Sequence, residues 1–142
     1  MSSKFTIGLI QLAFSKDTAE NLKKAFIWIE KAAKAGAQVI CLPELFRSQY
    51  FCQKEDIENF KLAETIPGPT TDAISEAAKR NKVSIVTPLF EKRSSGVYHN
   101  SLVVIDFDGK ILGTYRKMHI PDDPGFYEKY YFSPGDLGYK NF

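Results

Sequence analysis

Apolar residues fill both alternating sets of residues 5 to 14, FTIGLIQLAF, with Gly8 as the one small break, and this predicts a strand buried on both faces. The period then changes. Leu22, Ala25, Phe26, Ile29, Ala32 and Ala33 recur at helical spacing behind Asp17 and Glu20, a capping-box variant, until Gly36 supplies the stop. Residues 37 to 42 return to a short apolar strand, which Pro43 ends because proline has no N–H to give the ladder. Strand, helix, strand has the form of a βαβ unit.

Residues 45 to 69 are less regular, with a weak helical pattern over residues 55 to 62. The punctuation IPGPTT precedes a second helix over residues 71 to 80, whose narrow apolar face is Ile74, Ala77 and Ala78. Residues 83 to 90 read as a third strand, and Pro88 within it as the mark of an edge position or a bulge. Residues 98 to 107 and 110 to 117 flank Asp108-Gly109, the strongest short-range hairpin signal. After Lys117 the pattern dissolves into a loop rich in Pro, Asp and aromatics. With no repeat, low-complexity tract or interdomain linker, the expected fold is one α/β layer system, helices covering a mixed sheet.

Composition narrows the class without naming a function. The 142 residues are 44% hydrophobic and 25% charged, as in a single soluble domain. Lys and Arg number 19 against 17 acidic residues and are interspersed with them, so there is no footprint of a nucleic-acid binder. The apolar start is broken by Gln11 and runs into KDTAENLKK without a cleavage site, and no apolar run approaches the ~18 residues that cross a bilayer. Neither secretion nor membrane insertion is expected. Two cysteines without a CxxC spacing define neither a disulfide framework nor a zinc knuckle, and a reduced, cytoplasmic protein is the expectation.

The candidate chemistry starts at CLPELF. Cys41 and Glu44 are an odd number of positions apart and so diverge if the strand stays extended; Cys41 is expected in the packed layer beside Val39, an inert small hydrophobe. Glu44 follows an apolar run and a proline, the place from which strand ends present catalytic groups, although a capping role fits the same position. Lys117 ends the hairpin strand on the face it shares with Tyr115 and Ile111. There it either pairs with a carboxylate or snorkels to solvent. Glu128 lies in the loop MHIPDDPGFYEKYYFSPGD among Phe126, Tyr127, Tyr130, Tyr131 and Phe132, and can orient Lys117, hold a substrate amine, or be a solvated charge. His99 and His119 have no cysteine or carboxylate at a metal-ligand spacing, so no metal is expected. The absence of GxSxG, Walker and GxGxxG motifs removes the usual warrants for serine-triad, NTP and dinucleotide chemistry.

LPELF, YRKMHIPDDPGFYEKYYFSPGD and the order of elements before them resemble the nitrilase, or carbon–nitrogen hydrolase, superfamily, and within it the branch acting on N-carbamoyl amines. The resemblance runs from GLIQLAF to SPGD. It implies an αββα sandwich, here incomplete, a Glu–Lys–Cys triad without a cofactor, and self-association of the complete protein. Residue by residue, it makes Glu44 the general base, Lys117 the oxyanion stabiliser and Glu128 the second glutamate that holds the lysine or the attacking group. It also implies that residues 1 to 142 form the N-terminal part of one carbon–nitrogen hydrolase domain. The family's nucleophile lies in a segment of the type ICWD beyond SPGD, and neither Cys41 nor Cys52 matches it, so this chain by itself is expected to be inactive. The substrate expected from the resemblance is a small carbamoyl amine, with Asp122 or Asp123 near the pocket favouring a cationic tail unless both are turn residues. Two alternatives stand beside this reading: an amidase acting on a carbamoyl amino acid or ω-amide, and a noncatalytic module with one bare sheet face.

Overall fold

Residues 4–142 are described in a computed structural model, in which five strands form one sheet in the order β1-β2-β3-β4-β5. β1 (Ile7–Leu9) and β2 (Val39–Cys41) run parallel to the start of β3 (Ser84–Ser94), while β4 (Val97–Ile105) and β5 (Ile111–Arg116) continue antiparallel. This is the mixed α/β architecture expected. α1 (Thr18–Lys34) joins β1 to β2, α2 (Pro69–Asn81) precedes β3, and both helices pack on one face. The in-register row Gly8, Ile40, Ile85, Ile105 crosses that face beneath Ala25 and Ile29 of α1 and Ile74 and Ala78 of α2. A Cβ on Gly8 would stand 3.1 Å from that of Ala32, so the missing side chain is what lets α1 approach β1.

The helix signals are realised with small changes. Asp17 caps α1 by accepting from the backbone N–H groups of Ala19 and Glu20. Glu20 does not reach back to Asp17; Ser15 relays the contact, accepting from the Asp17 N–H at 3.2 Å and donating to Glu20 at 2.7 Å. α2 begins two residues earlier than its apolar pattern, because Pro69 at its first position has φ already set for a helix and Thr71 accepts from the Gly68 N–H.

Three strand expectations need correction. β1 has three residues instead of ten and is exposed at Ile7 and Leu9. β2 stops at Cys41, so the last bond available to the first strand is Ile10 N–H to the Cys41 carbonyl, and Leu12 and Phe14 turn onto the helix-side core. Cys41 stands half-buried with Val39 on the face opposite the helices, outside the packed layer, since alternation gives the inner side to Ile40. Finally, β3 is central, with Pro88 in its middle. On the β2 side, Val86 O accepts from Leu42, while Phe90 O and Lys92 N bond Glu64. By alternation Pro88 faces the gap between these contacts, where no N–H is wanted.

β3 also runs past residue 90 to Ser94 and turns tightly into β4. The Asp108-Gly109 turn joins β4 to β5, as expected, with a register shift at Ile105 and Ile111. That shift sends Ile111 to the helix-side core, so Lys117 shares its face with Tyr115 but not with Ile111.

The face away from the helices is bare at Ile7 and Leu9. Its far end is covered by two irregular segments that bury each other. One carries the 3₁₀ turn Ile57–Leu62; the other carries β6 (Asp122–Asp123), β7 (Phe126–Tyr127) and the single turn α3 (Glu128–Tyr131). Phe51 stacks on Phe90 at 5.1 Å and meets Tyr131 edge-on at 4.9 Å, and the Tyr131 hydroxyl donates to Lys54 O and accepts from Asp56 N–H. Among the described residues no helix is long and apolar enough to cross a membrane.

Candidate active site

A strand end, a hairpin end and a short turn deliver Glu44, Lys117 and Glu128 to one place, across 73 positions between the first two and 11 between the last two. Lys117 Nζ lies 3.2 Å from Glu44 Oε1, 2.9 Å from Glu128 Oε2 and 3.2 Å from Glu128 Oε1. The two carboxylates differ in surroundings: the Glu44 side chain is 51% exposed and that of Glu128 is 3% exposed, with Lys117 between them. Burial works against the Lys117 ammonium, but the hydrogen bond to Glu128 and the charges of both glutamates outweigh it, so its pKa is raised. Lys117 is therefore a fixed cation and not a base at neutral pH.

Each side chain is held by its local fold. Pro43 ends β2, and the chain turns through Leu45 at φ 50, a left-handed backbone that costs a leucine about 1–2 kcal/mol. Burial of the Leu45 side chain, worth about 2 kcal/mol, offsets that strain. Buried Asn21 of α1 fastens the same turn by donating to Arg47 O at 3.0 Å. Glu44 itself accepts from Asn100 Nδ2 at 2.7 Å.

Lys117 is gripped from both sides of its backbone. Its N–H donates to Asn100 O at 2.8 Å and its carbonyl accepts from Gly135 N–H at 2.9 Å. The SPGD segment thus works as a clamp: Ser133 N–H bonds Tyr98 O, and Asp136 pairs with Arg116 and Arg93. Arg116 in turn holds the buried Glu91, whose carboxyl lies below its ordinary pKa because these bonds and that from Ser101 outweigh its burial. On the third side, Glu128 opens α3 and accepts from the Tyr50 hydroxyl at 2.9 Å.

Tyr50 and Asn100 were missed from the sequence. Counting outward from Asp108-Gly109 pairs Ser101 with Arg116 and so sets Asn100 opposite Lys117, a signal that was there to use. Nothing local marks Tyr50, which meets Glu128 across 78 positions.

The thiols are poorly suited to attack. Cys52 is fully buried next to this cluster, and burial followed by the Glu128 charge pushes its pKa up to about 12. Burial also raises the pKa of half-buried Cys41. We expect Ellman's reagent to modify Cys41 slowly and Cys52 only at the rate of global unfolding; rapid modification of Cys52 in the folded chain would contradict this burial.

A groove of about 600 Å³ opens beside Glu44, lined by Leu12, Phe14, Pro43, Gln49 and Tyr50 among others. Asp122 and Asp123 are exposed in the β6–β7 hairpin and do not line it. His99 is buried with Nδ1 3.0 Å from Ser133 O, and His119 is exposed. Among the described residues no three His, Cys, Asp or Glu side chains gather as a metal site.

The chain belongs to the carbon–nitrogen hydrolase family, whose model matches residues 6–142. It is 41% identical over 99% of its length to an N-carbamoylputrescine amidase of Oryza sativa subsp. japonica, and 43% identical over 94% of its length to a citrullinase of Francisella tularensis. It covers 46% and 47% of those proteins, so it spans about half the length of the curated relatives it matches. Among solved structures, a carbon-nitrogen hydrolase from Helicobacter pylori G27 superposes with a TM-score of 0.90 at 43% identity, over 94% of this chain and 46% of that one. An amidase from Nesterenkonia sp. shares the fold at a TM-score of 0.76 and 21% identity, over 92% of this chain and 48% of that one.

Proposed function

We propose that these residues form the base and electrophile side of a thiol amidohydrolase that cleaves the terminal carbamoyl group of an alkyl amine, N-carbamoylputrescine being the substrate to try first. The observation that carries the reading is the Lys117 ammonium within 3.2 Å of a half-exposed glutamate and 2.9 Å of a buried one, beside an open groove. The N-carbamoylputrescine amidases and the citrullinase among the relatives support the substrate class, since carbamoylputrescine and citrulline both end in an alkyl ureido group.

In this reaction Glu44 takes the proton of a thiol supplied from beyond residue 142, and sulfur attacks the carbamoyl carbon. Lys117 stabilises the oxyanion. Ammonia leaves with the proton that Glu44 returns, and Glu44 then deprotonates a water that breaks the carbon–sulfur bond. Loss of carbon dioxide frees the amine, so one urea and one water give amine, carbon dioxide and ammonia. Glu128 is too buried and too fully engaged with Lys117 and Tyr50 to be the base; it holds the lysine.

The test measures ammonia release from N-carbamoylputrescine and citrulline. The 142-residue chain is expected to show none, and turnover that survives Cys52→Ala would overturn that part. A chain extended to include the nucleophile cysteine that the family resemblance implies is expected to turn over, and to lose about 10²-fold or more in kcat on Glu44→Gln. Undiminished activity of Glu44→Gln would overturn the assignment of the base.

A further inference from the structure

We infer that Tyr50 is a positioning residue, tethering Glu128 so that this carboxylate holds Lys117 and leaves Glu44 free to take a proton; its catalytic meaning rests on the function proposed above. The buried Glu128 carboxylate binds Lys117 through both oxygens, at 3.2 and 2.9 Å, and the Tyr50 hydroxyl bonds Oε1 at 2.9 Å. Oε1 is thus shared between Lys117 and Tyr50, and Oε2 makes the shorter bond to the ammonium. Glu44, by contrast, reaches Lys117 through Oε1 alone at 3.2 Å. A base must keep an oxygen that is not consumed by its neighbouring cation, and this unequal sharing provides one.

The route of the chain gives Tyr50 its second role. It follows Glu44 by six residues on the same irregular segment, so its bond to Glu128 couples the loop that carries the base to the turn that carries the second glutamate. Burial and then the Glu128 hydrogen bond drive the phenol pKa upward, so the hydroxyl stays protonated and remains a donor throughout the working range. Without that donor, Oε1 of a buried carboxylate is left to Lys117 alone, the carboxylate is free to rotate, and Lys117 drifts toward Glu44.

The experiment follows the Lys117 ammonium by ¹H–¹⁵N NMR in the 142-residue chain. Tyr50→Phe is expected to speed its hydrogen exchange about tenfold, the worth of one hydrogen bond to a charged group, while Tyr130→Phe, an exposed tyrosine of α3 two residues after Glu128, leaves it unchanged. A folded Tyr50→Phe chain with the wild-type exchange rate would overturn the tether. Should Tyr50→Phe not fold, 3-fluorotyrosine labelling replaces it: Glu128→Gln is expected to shift the ¹⁹F resonance of Tyr50 while Lys140→Ala leaves it in place, and a resonance unmoved by Glu128→Gln overturns the proposal. Neither readout depends on turnover. If Glu44→Gln leaves hydrolysis intact the reading of the reaction falls while the tether stands, and if ammonium exchange ignores Tyr50 the tether falls whatever the activity.

Discussion

Lys117→Met is expected to destabilise the chain by about 3 kcal/mol at pH 7, the low end for breaking a buried ion pair because the lysine side chain itself is 31% exposed. The loss comes chiefly from Glu128, which at 3% exposure is left ionised with no cation beside it. At a slope of roughly 1–3 kcal/mol per molar urea, the unfolding midpoint falls by about 1 M or more. Adding Glu128→Gln should restore at least half of the loss, since the double variant buries no unpaired charge while the Tyr50 hydroxyl keeps an acceptor. A single variant as stable as wild type, or a double variant no better than the single, would dissolve the claim that these groups form one coupled cluster. The pH sign follows from the raised Lys117 pKa: its contribution is complete below the ordinary lysine value of 10.5 and is lost as pH rises through the folded value.

The second large effect is at Gly135. A Cβ there would overlap the Arg116 carbonyl oxygen, which is backbone and cannot swing aside. Gly135→Ala is therefore expected to cost about 3 kcal/mol and to push the Lys117 backbone off its register with Asn100. Urea unfolding measures the first, and the amide shifts of Lys117 and the Asn100 side chain report the second. Lys140→Ala, at an exposed position five residues on, should change stability by less than about 0.5 kcal/mol. An alanine at 135 that leaves the midpoint and the Lys117 amide unmoved would show that the SPGD segment does not clamp the strand end.

The contrast between these residues and the misread ones shows what a linear pattern encodes. Helical periodicity located α1 and α2 because each buries one stripe of its own residues against the sheet, and that requirement is written at i, i+3 and i+4. The Asp108-Gly109 turn located the hairpin in the same local way, and its count held from Val104 and Gly113 outward, although the shift next to the turn moved Ile111 to the other face. β1 was misread because apolar residues on both faces state what a strand tends toward and not which partner it has; its partner β2 ends at Cys41. Pro88 was misread for a related reason, since a proline needs one missing neighbour and not an edge strand, and β3 lacks that neighbour between Val86 and Phe90. Glu44, Lys117 and Glu128 stood out one by one, from a strand end, a hairpin end and an aromatic loop, and the family resemblance alone grouped them, because side chains meeting across 73 and 11 positions leave no periodic trace.

By itself the sequence determined the helices, the hairpin and the residue types available for chemistry, all consequences of interactions within about one turn of chain or one pair of strands. Tertiary structure decided the environments. It left Glu44 half in water and Glu128 dry, buried Cys52 while leaving Cys41 half-exposed, and brought Tyr50 to Glu128 and Asn100 to Glu44. Solvation and charge pairing depend on distance in space, and only the closed loops around β3, β4 and β5 bring those groups within hydrogen-bonding reach.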